Sequence, residues 1–179
     1  MPQEPRSTRP SDLSGARSHE PRVPAGVTRP VREPLRASSA DAFALGEFLR
    51  SVDLTTAGLD DPGVFLWIDL DPDGRITAST GFELTDDNAL IRSVAVAPFL
   101  RRSGRGRELA QFALEAAASV GARRAWLMSR RSGPFWERLG FVPADIHQLE
   151  AALLTTSQVR AFAASGQLDY ETAWTRELP

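Results

Sequence analysis

Ser93-Val94-Ala95-Val96-Ala97-Pro98-Phe99-Leu100-Arg101-Arg102-Ser103-Gly104-Arg105-Gly106 decides how this chain folds. The apolar run through Val96 reads as the end of a strand. Residues 101–106 then lie between that strand and a helix that starts near Gly104. Glycines at such a junction let backbone N–H groups converge on one point, and the helix N-terminus adds partial positive charge. A diphosphate matches that arrangement. A dinucleotide fingerprint needs a third glycine, and the position holds Leu109. Gly104 and Gly106 alone also fit a plain turn into a helix, so the flanking sequence has to decide.

Downstream, residues 104–120 read as a helix with Leu109, Phe112, Ala113, Ala116 and Val120 toward a core, closed by Gly121. A strand at 125–129, a short helix at 134–139 ended by Gly140 and a short strand at 141–143 follow. Helical sequence fills 147–164, and 170–178 is the last strand. Upstream of the quoted stretch, residues 89–96 form its strand. Thr85-Asp86-Asp87-Asn88 turns the chain back to a strand at 76–84, in which Ile76, Ala78, Thr80, Phe82 and Leu84 share one face. Asp71-Pro72-Asp73-Gly74 is a type I turn signal that joins it to a buried strand at 64–69. Ser39 reads as the cap of a helix reaching about residue 52, after a short strand near 27–34. Residues 1–25 hold Pro, Arg, Ser and Glu with hardly an apolar side chain, which predicts a disordered tail ahead of one domain at 26–179.

Composition narrows the function classes. The chain has 179 residues and a net charge of -2, enough for one full core and without the basic excess of a duplex binder. It has no cysteine, so thiol nucleophiles, disulfides and cysteine metal sites are excluded. Every basic residue is arginine, so a P-loop, which needs lysine, is excluded as well. No apolar run approaches a membrane span and no secretory signal is visible, so the sequence predicts a cytoplasmic protein without membrane partners. Asp69-x-Asp71-x-Asp73-Gly74 imitates the start of a calcium loop, but position twelve is Thr80 and a strand begins at Ile76, so a hairpin turn is expected and no metal.

Ser93-Val94-Ala95-Val96-Ala97-Pro98, the loop Arg101-x-x-Gly104-x-Gly106 and Phe135-Trp136-Glu137-Arg138-Leu139-Gly140-Phe141 together resemble the GNAT superfamily of N-acetyltransferases. That family's loop is Gln/Arg-x-x-Gly-x-Gly/Ala. The resemblance runs from about residue 27 to 178. It implies an α/β (α+β) fold with a mixed, mostly antiparallel sheet of about six to seven strands flanked by helices. Gly81-Phe82-Glu83-Leu84 and the stretch Ala89 to Val96 also look like the arsenic-resistance N-acetyltransferase subgroup, and residues 135–141 are similar to glutamate-type amino-acid N-acetyltransferases. By this resemblance the co-substrate is acetyl-CoA. Val94, Ala95 and Val96 would take its pantetheine arm by strand addition. Backbone amides of Arg102, Ser103, Gly104, Arg105, Gly106 and Arg107 would cradle the pyrophosphate. The Arg101, Arg102, Arg105 and Arg107 side chains would raise the local potential, and Phe135 and Trp136 would line the pantetheine channel.

Transfer to nitrogen needs a neutral amine and so the removal of a proton. Glu83 is the candidate base, on a central strand beside the one carrying Val94; an ion-paired strand glutamate is the structural alternative. Arg92 is the candidate for holding a substrate carboxylate by a bidentate pair, with an ion pair to Glu83 or Asp87 as its alternative. The family often has a tyrosine near Trp136 as the acid for the leaving thiolate. An indole does not serve there, but a thiol with a pKa of about 8.5 leaves as thiolate unaided. The expected acceptor is a primary amine of a small, amino-acid-like molecule. A catalytically silent acyl-CoA-binding module and a protein N-acetyltransferase are the other readings, and the last strands are candidates for pairing two chains as a homodimer.

Overall fold

The computed structural model describes residues 33–179, so the expected tail lies outside the described residues, as does most of the strand expected at 27–34. The first described strand is β1 (Leu35–Arg36). It is followed by α1 (Ala42–Ser51), β2 (Val64–Leu70), β3 (Ile76–Thr85) and β4 (Asn88–Val96). Then come α2 (Arg105–Ser119), β5 (Arg124–Met128), α3 (Gly133–Glu137), β6 (Val142–Ala144), α4 (Ile146–Ala152), α5 (Ser157–Ser165) and β7 (Ala173–Glu177). The seven strands form one sheet in the order β1-β2-β3-β4-β5-β7-β6. All neighbours are antiparallel except β4 and β5, which run parallel. This is the mixed, mostly antiparallel sheet of six to seven strands that the family resemblance implied. No helix among the described residues is long and apolar enough to cross a membrane.

Two layers of helices cover the sheet. Phe82, Ile91 and Leu127 pack with Ala110, Ala113, Leu114 and Trp136, so α2 and α3 share one face. Leu90, Trp126 and Ala173 pack with Leu149, Val159 and Phe162, so α4 and α5 cover the other. Leu45 and Leu49 of α1 join Val64, Leu66 and Ile68 of β2. Strand β3 is therefore buried on both faces over most of its length, including the face of Thr77, Ser79, Gly81 and Glu83. Gly81 is required there: a Cβ would stand 2.3 Å from the Phe65 carbonyl oxygen and 2.7 Å from Leu66 Cδ2. Gly81→Ala must push β2 off β3, and a loss of about 1–3 kcal/mol is expected in the urea unfolding midpoint.

Four local readings shift. Ser38, not Ser39, caps the first turn, its N–H and hydroxyl both donating to Asp41 Oδ2 at 2.8 and 2.7 Å. Helix α2 turns its seam so that Leu109, Ala110, Ala113, Leu114 and Ala117 are buried while Val120 is exposed. Phe112 leaves the core face and stands edge-on to Trp67 at 5.2 Å. The helical sequence at 147–164 is two helices rather than one: Asp145 caps α4 through the His147 and Gln148 N–H groups, and α5 restarts at Ser157 under a carboxylate supplied by β3. The hairpin turn at 71–74 forms as read, with Gly74 at φ 80 and Asp71 Oδ1 accepting the N–H groups of Asp73 and Arg75.

One irregularity shapes the site. Gly81 faces Arg92, but Ser79 faces Ala95, so β4 carries one extra residue opposite β3. Ser93 takes it up with a left-handed φ of 55, and Ser79 Oγ donates to its carbonyl at 2.7 Å. The bulge resets the alternation of the strand. Arg92, which strict alternation would put on the face of Val94 and Val96, is aligned with Ala95 instead.

Candidate active site

The parallel pairing of β4 and β5 lasts three residue pairs: Asn88 with Arg124, Ala89 with Ala125 and Leu90 with Trp126. Beyond it β4 stays on β3 while β5 stays on β7. The edge of β4 from residue 91 to 96 therefore has no strand partner toward β5. A cleft occupies the gap, in two joined compartments of about 850 and 270 Å³. Val94, Ala95, Val96, Met128, Ser129 and Gln158 line both. Residues that follow α1, with Phe162 of α5, wall the larger one. Gly106, Phe135 and Trp136 wall the smaller, where Phe135 and Trp136 meet edge-to-face at 4.9 Å.

The loop after β4 turns through Pro98–Leu100, with Arg102 at φ 65 and Gly104 at φ 90. Among the described residues, the N–H groups of Arg102, Ser103, Gly104 and Gly106 find no acceptor in the protein. Four unmatched donors at the N-terminus of a 15-residue helix form a cradle that can receive an anion. Gly106 adds a second indication. A Cβ there would meet only Val96 Cγ2, at 3.7 Å, so packing inside the protein does not demand glycine. The space it leaves opens on the smaller compartment. Backbone and cleft together suit a diphosphate with a narrow arm attached.

The arginines of the loop divide. Arg101 lines the larger compartment, its Nε on the Val96 carbonyl at 3.3 Å. Arg102 and Arg107 are exposed. Arg105 departs from its expected role: its guanidinium holds both oxygens of Asp69 at 2.7 Å and Glu108 Oε2 at 2.9 Å. The hydrogen bond to Asp69 raises its pKa above the usual arginine value. Asp69 is buried at the end of β2 and takes the charge that an anion would otherwise meet.

Glu83 and Arg92 also meet a geometry different from the expected one. They are paired with each other, the second of the two arrangements foreseen for Arg92. Glu83 is 3% exposed and lines neither compartment. Its Oε1 accepts from Arg92 and from the Gln158 N–H at 3.2 Å, and its Oε2 accepts from the Ser157 N–H. Arg92 also donates to the Ala57 carbonyl at 2.6 Å. Burial pulls its guanidinium below the usual value and the Glu83 carboxylate opposes this, so it stays charged. The pair joins β3, β4, the segment after α1 and the start of α5 into one clamp. Asp61 reinforces it by accepting the Ser157 hydroxyl at 2.6 Å.

Several cleft residues carry no signal in the sequence. Thr55 follows α1, Ser129 and Ser132 follow β5, and Gln158 and Phe162 come from α5. They are brought to β4 by the fold, and no local motif marks them. Arg50, Arg101, Arg130 and Arg131 face the larger compartment against Asp53 and Glu171. Arg131 is paired with Asp53, and Arg130 stands 3.5 Å from Glu171. The balance there is positive.

The same fold occurs in solved structures at low identity. A GNAT-family acetyltransferase from Staphylococcus aureus Mu50 is 13% identical, with a TM-score of 0.66 over 82% of this chain and 99% of its own. Rv2747 from Mycobacterium tuberculosis, solved in complex with CoA, is 15% identical, with a TM-score of 0.61 over 83% of this chain and all of its own length. N-acetylglutamate synthase from Neisseria gonorrhoeae, complexed with coenzyme A and N-acetyl-glutamate, is 16% identical with a TM-score of 0.61, and 83% of this chain spans 36% of that protein. None of the curated proteins matches the chain. The family model described as the acetyltransferase (GNAT) family matches residues 34–141, more than half of the chain, and the protein therefore belongs to the GNAT acetyltransferases.

Proposed function

We propose that the protein transfers the acetyl group of acetyl-CoA to a primary amine of a small, amino-acid-like molecule. The observation that carries this reading is the unpaired β4 edge opening on a two-compartment cleft that reaches Arg101 in its larger part and Gly106, at the start of α2, in its smaller part. Val94, Ala95 and Val96 hold the pantetheine arm along that edge. The amides of the loop, with Arg101, Arg102 and Arg107, hold the phosphates. Phe135 and Trp136 close the smaller compartment around the arm. When bound, acetyl-CoA would supply an activated thioester.

The chain's own contribution is positioning and charge. A backbone N–H of the bulge near Val94 is the proposed donor to the developing oxyanion. Glu83 and Arg92 are positioning residues that fix the cleft wall. The carboxylates that do face the cleft, Asp53 and Glu171, are already engaged by Arg131 and Arg130. The amine therefore enters in its neutral form and gives its proton to water. The positive wall of the larger compartment suits an acceptor that carries a carboxylate.

A panel of amines, read by release of free thiol, tests this. Turnover with at least one small amine is expected, together with saturable CoA binding. CoA binding without thiol release across the panel would instead favour a silent acyl-CoA module. If no protein group acts as base, kcat/KM should rise with pH through the pKa of the acceptor itself. That lies at about 7.7–8.0 for an α-amine and about 10.4 for an alkyl side-chain amine. Two acceptors with different pKa values should give two displaced profiles. A single inflection common to both would point to an enzyme base and overturn this part of the reading.

A further inference from the structure

Gln158 is 8% exposed, and its side-chain oxygen Oε1 is buried with no hydrogen-bond partner. It is the sole such side-chain atom among the described residues. Gln158 is also the one residue of α4, α5 or the turn after them that lines both compartments. Its backbone N–H is fixed on Glu83 Oε1 at 3.2 Å, so the side chain starts from a rigid point. A buried acceptor left unmatched is costly, and proteins keep such groups where a ligand supplies the donor.

Resting on the acetyl-transfer reading, we propose that Gln158 positions the acceptor nitrogen by accepting one of its N–H hydrogens at Oε1. A neutral carbonyl suits this task better than a carboxylate, which would hold the ammonium and keep its lone pair from attack. In the transfer, the N–C bond forms, the C–S bond breaks with its electron pair on sulfur, and one hydrogen leaves nitrogen as a proton to water. The second hydrogen stays on Gln158 throughout. A primary amine has one hydrogen to lose and one to be held. A secondary amine or an alcohol has only one, so Gln158 selects primary amines.

The test is steady-state kinetics of Gln158→Leu, Gln158→Met and Gln158→Glu on a primary amine and its N-methyl analogue, with CoA affinity measured by calorimetry. For Leu and Met, kcat/KM for the primary amine should fall about 5–100-fold, the size of one unmatched buried polar contact. The preference for primary over N-methyl amine should shrink, and CoA affinity should hold. Gln158→Glu should displace the pH profile upward. Kinetics within twofold of wild type in both Leu and Met, or an unchanged preference, would overturn the proposal. So would a loss of CoA affinity matching the loss of turnover. A wild-type protein that binds CoA but acetylates no amine would remove the acetyl-transfer reading itself, and this proposal with it.

Discussion

Glu83→Ala should destabilise the fold by about 3–5 kcal/mol, the usual cost of stranding one partner of a buried ion pair. The Arg92 side chain is 1% exposed and would keep its charge with the Ala57 carbonyl and Ser93 Oγ as its hydrogen-bond partners and Asp61 as the remaining nearby carboxylate. The Ser157 and Gln158 N–H groups would lose the carboxylate that starts α5. For a domain of this size the melting temperature should drop by roughly 6–20 °C. Replacing both partners, as in Glu83→Leu with Arg92→Leu, should recover part of the loss, since apolar pairs of similar volume often match buried ion pairs. A further variant, Glu83→Gln, separates a base from a clamp. A base lost to Glu83→Gln would cut turnover most at low pH and leave the melting temperature unchanged. The clamp predicts a lower melting temperature and a pH profile of unchanged shape. A stable Glu83→Gln with its acidic limb altered would return Glu83 to catalysis.

The contrast between loop and clamp explains what the sequence could and could not tell. Turns and strands are local: Asp71 to Gly74 carries its conformation in adjacent residues and reads correctly, and the loop Arg101 to Gly106 lies between β4 and α2 as its own residues suggest. Glu83 looked like a base because alternation places it opposite Phe82, and a sheet face opposite a core is often open. Nothing near Glu83 in sequence announces that α5, over seventy residues later, will use it as a cap. The break between α4 and α5 was illegible for the same reason, since its cause lies on β3. The bulge at Ser93 is subtler. One extra residue, opposed to nothing, moves Arg92 out of register with Val94, and period-two reasoning has no way to see it. Gln158 sits in an unremarkable helical stretch and becomes a candidate only when its buried oxygen is found without a donor.

The two glycines of the cradle should respond to substitution in opposite ways. Gly104 stands at φ 90 with open space around it, so any side chain there meets backbone strain and no clash. Gly104→Ala should therefore lower stability by about 1–2 kcal/mol and disturb the loop amides along with it. Gly106 lies in the first turn of α2 without a positive φ, and a Cβ meets only Val96 Cγ2 at 3.7 Å. Leucine is the better helix former, by up to about 0.8 kcal/mol, so Gly106→Leu should melt no lower than wild type. Its side chain would instead fill the mouth of the smaller compartment, where the proposed pantetheine arm meets the phosphates. CoA affinity should fall by about 10–100-fold, the equivalent of the roughly 1–3 kcal/mol that overpacking costs. Calorimetric titration with CoA at fixed salt, beside a thermal melt, reads both quantities on the same sample. A Gly106→Leu protein that binds CoA as wild type does would mean that the unmatched amides before α2 serve something other than a pyrophosphate.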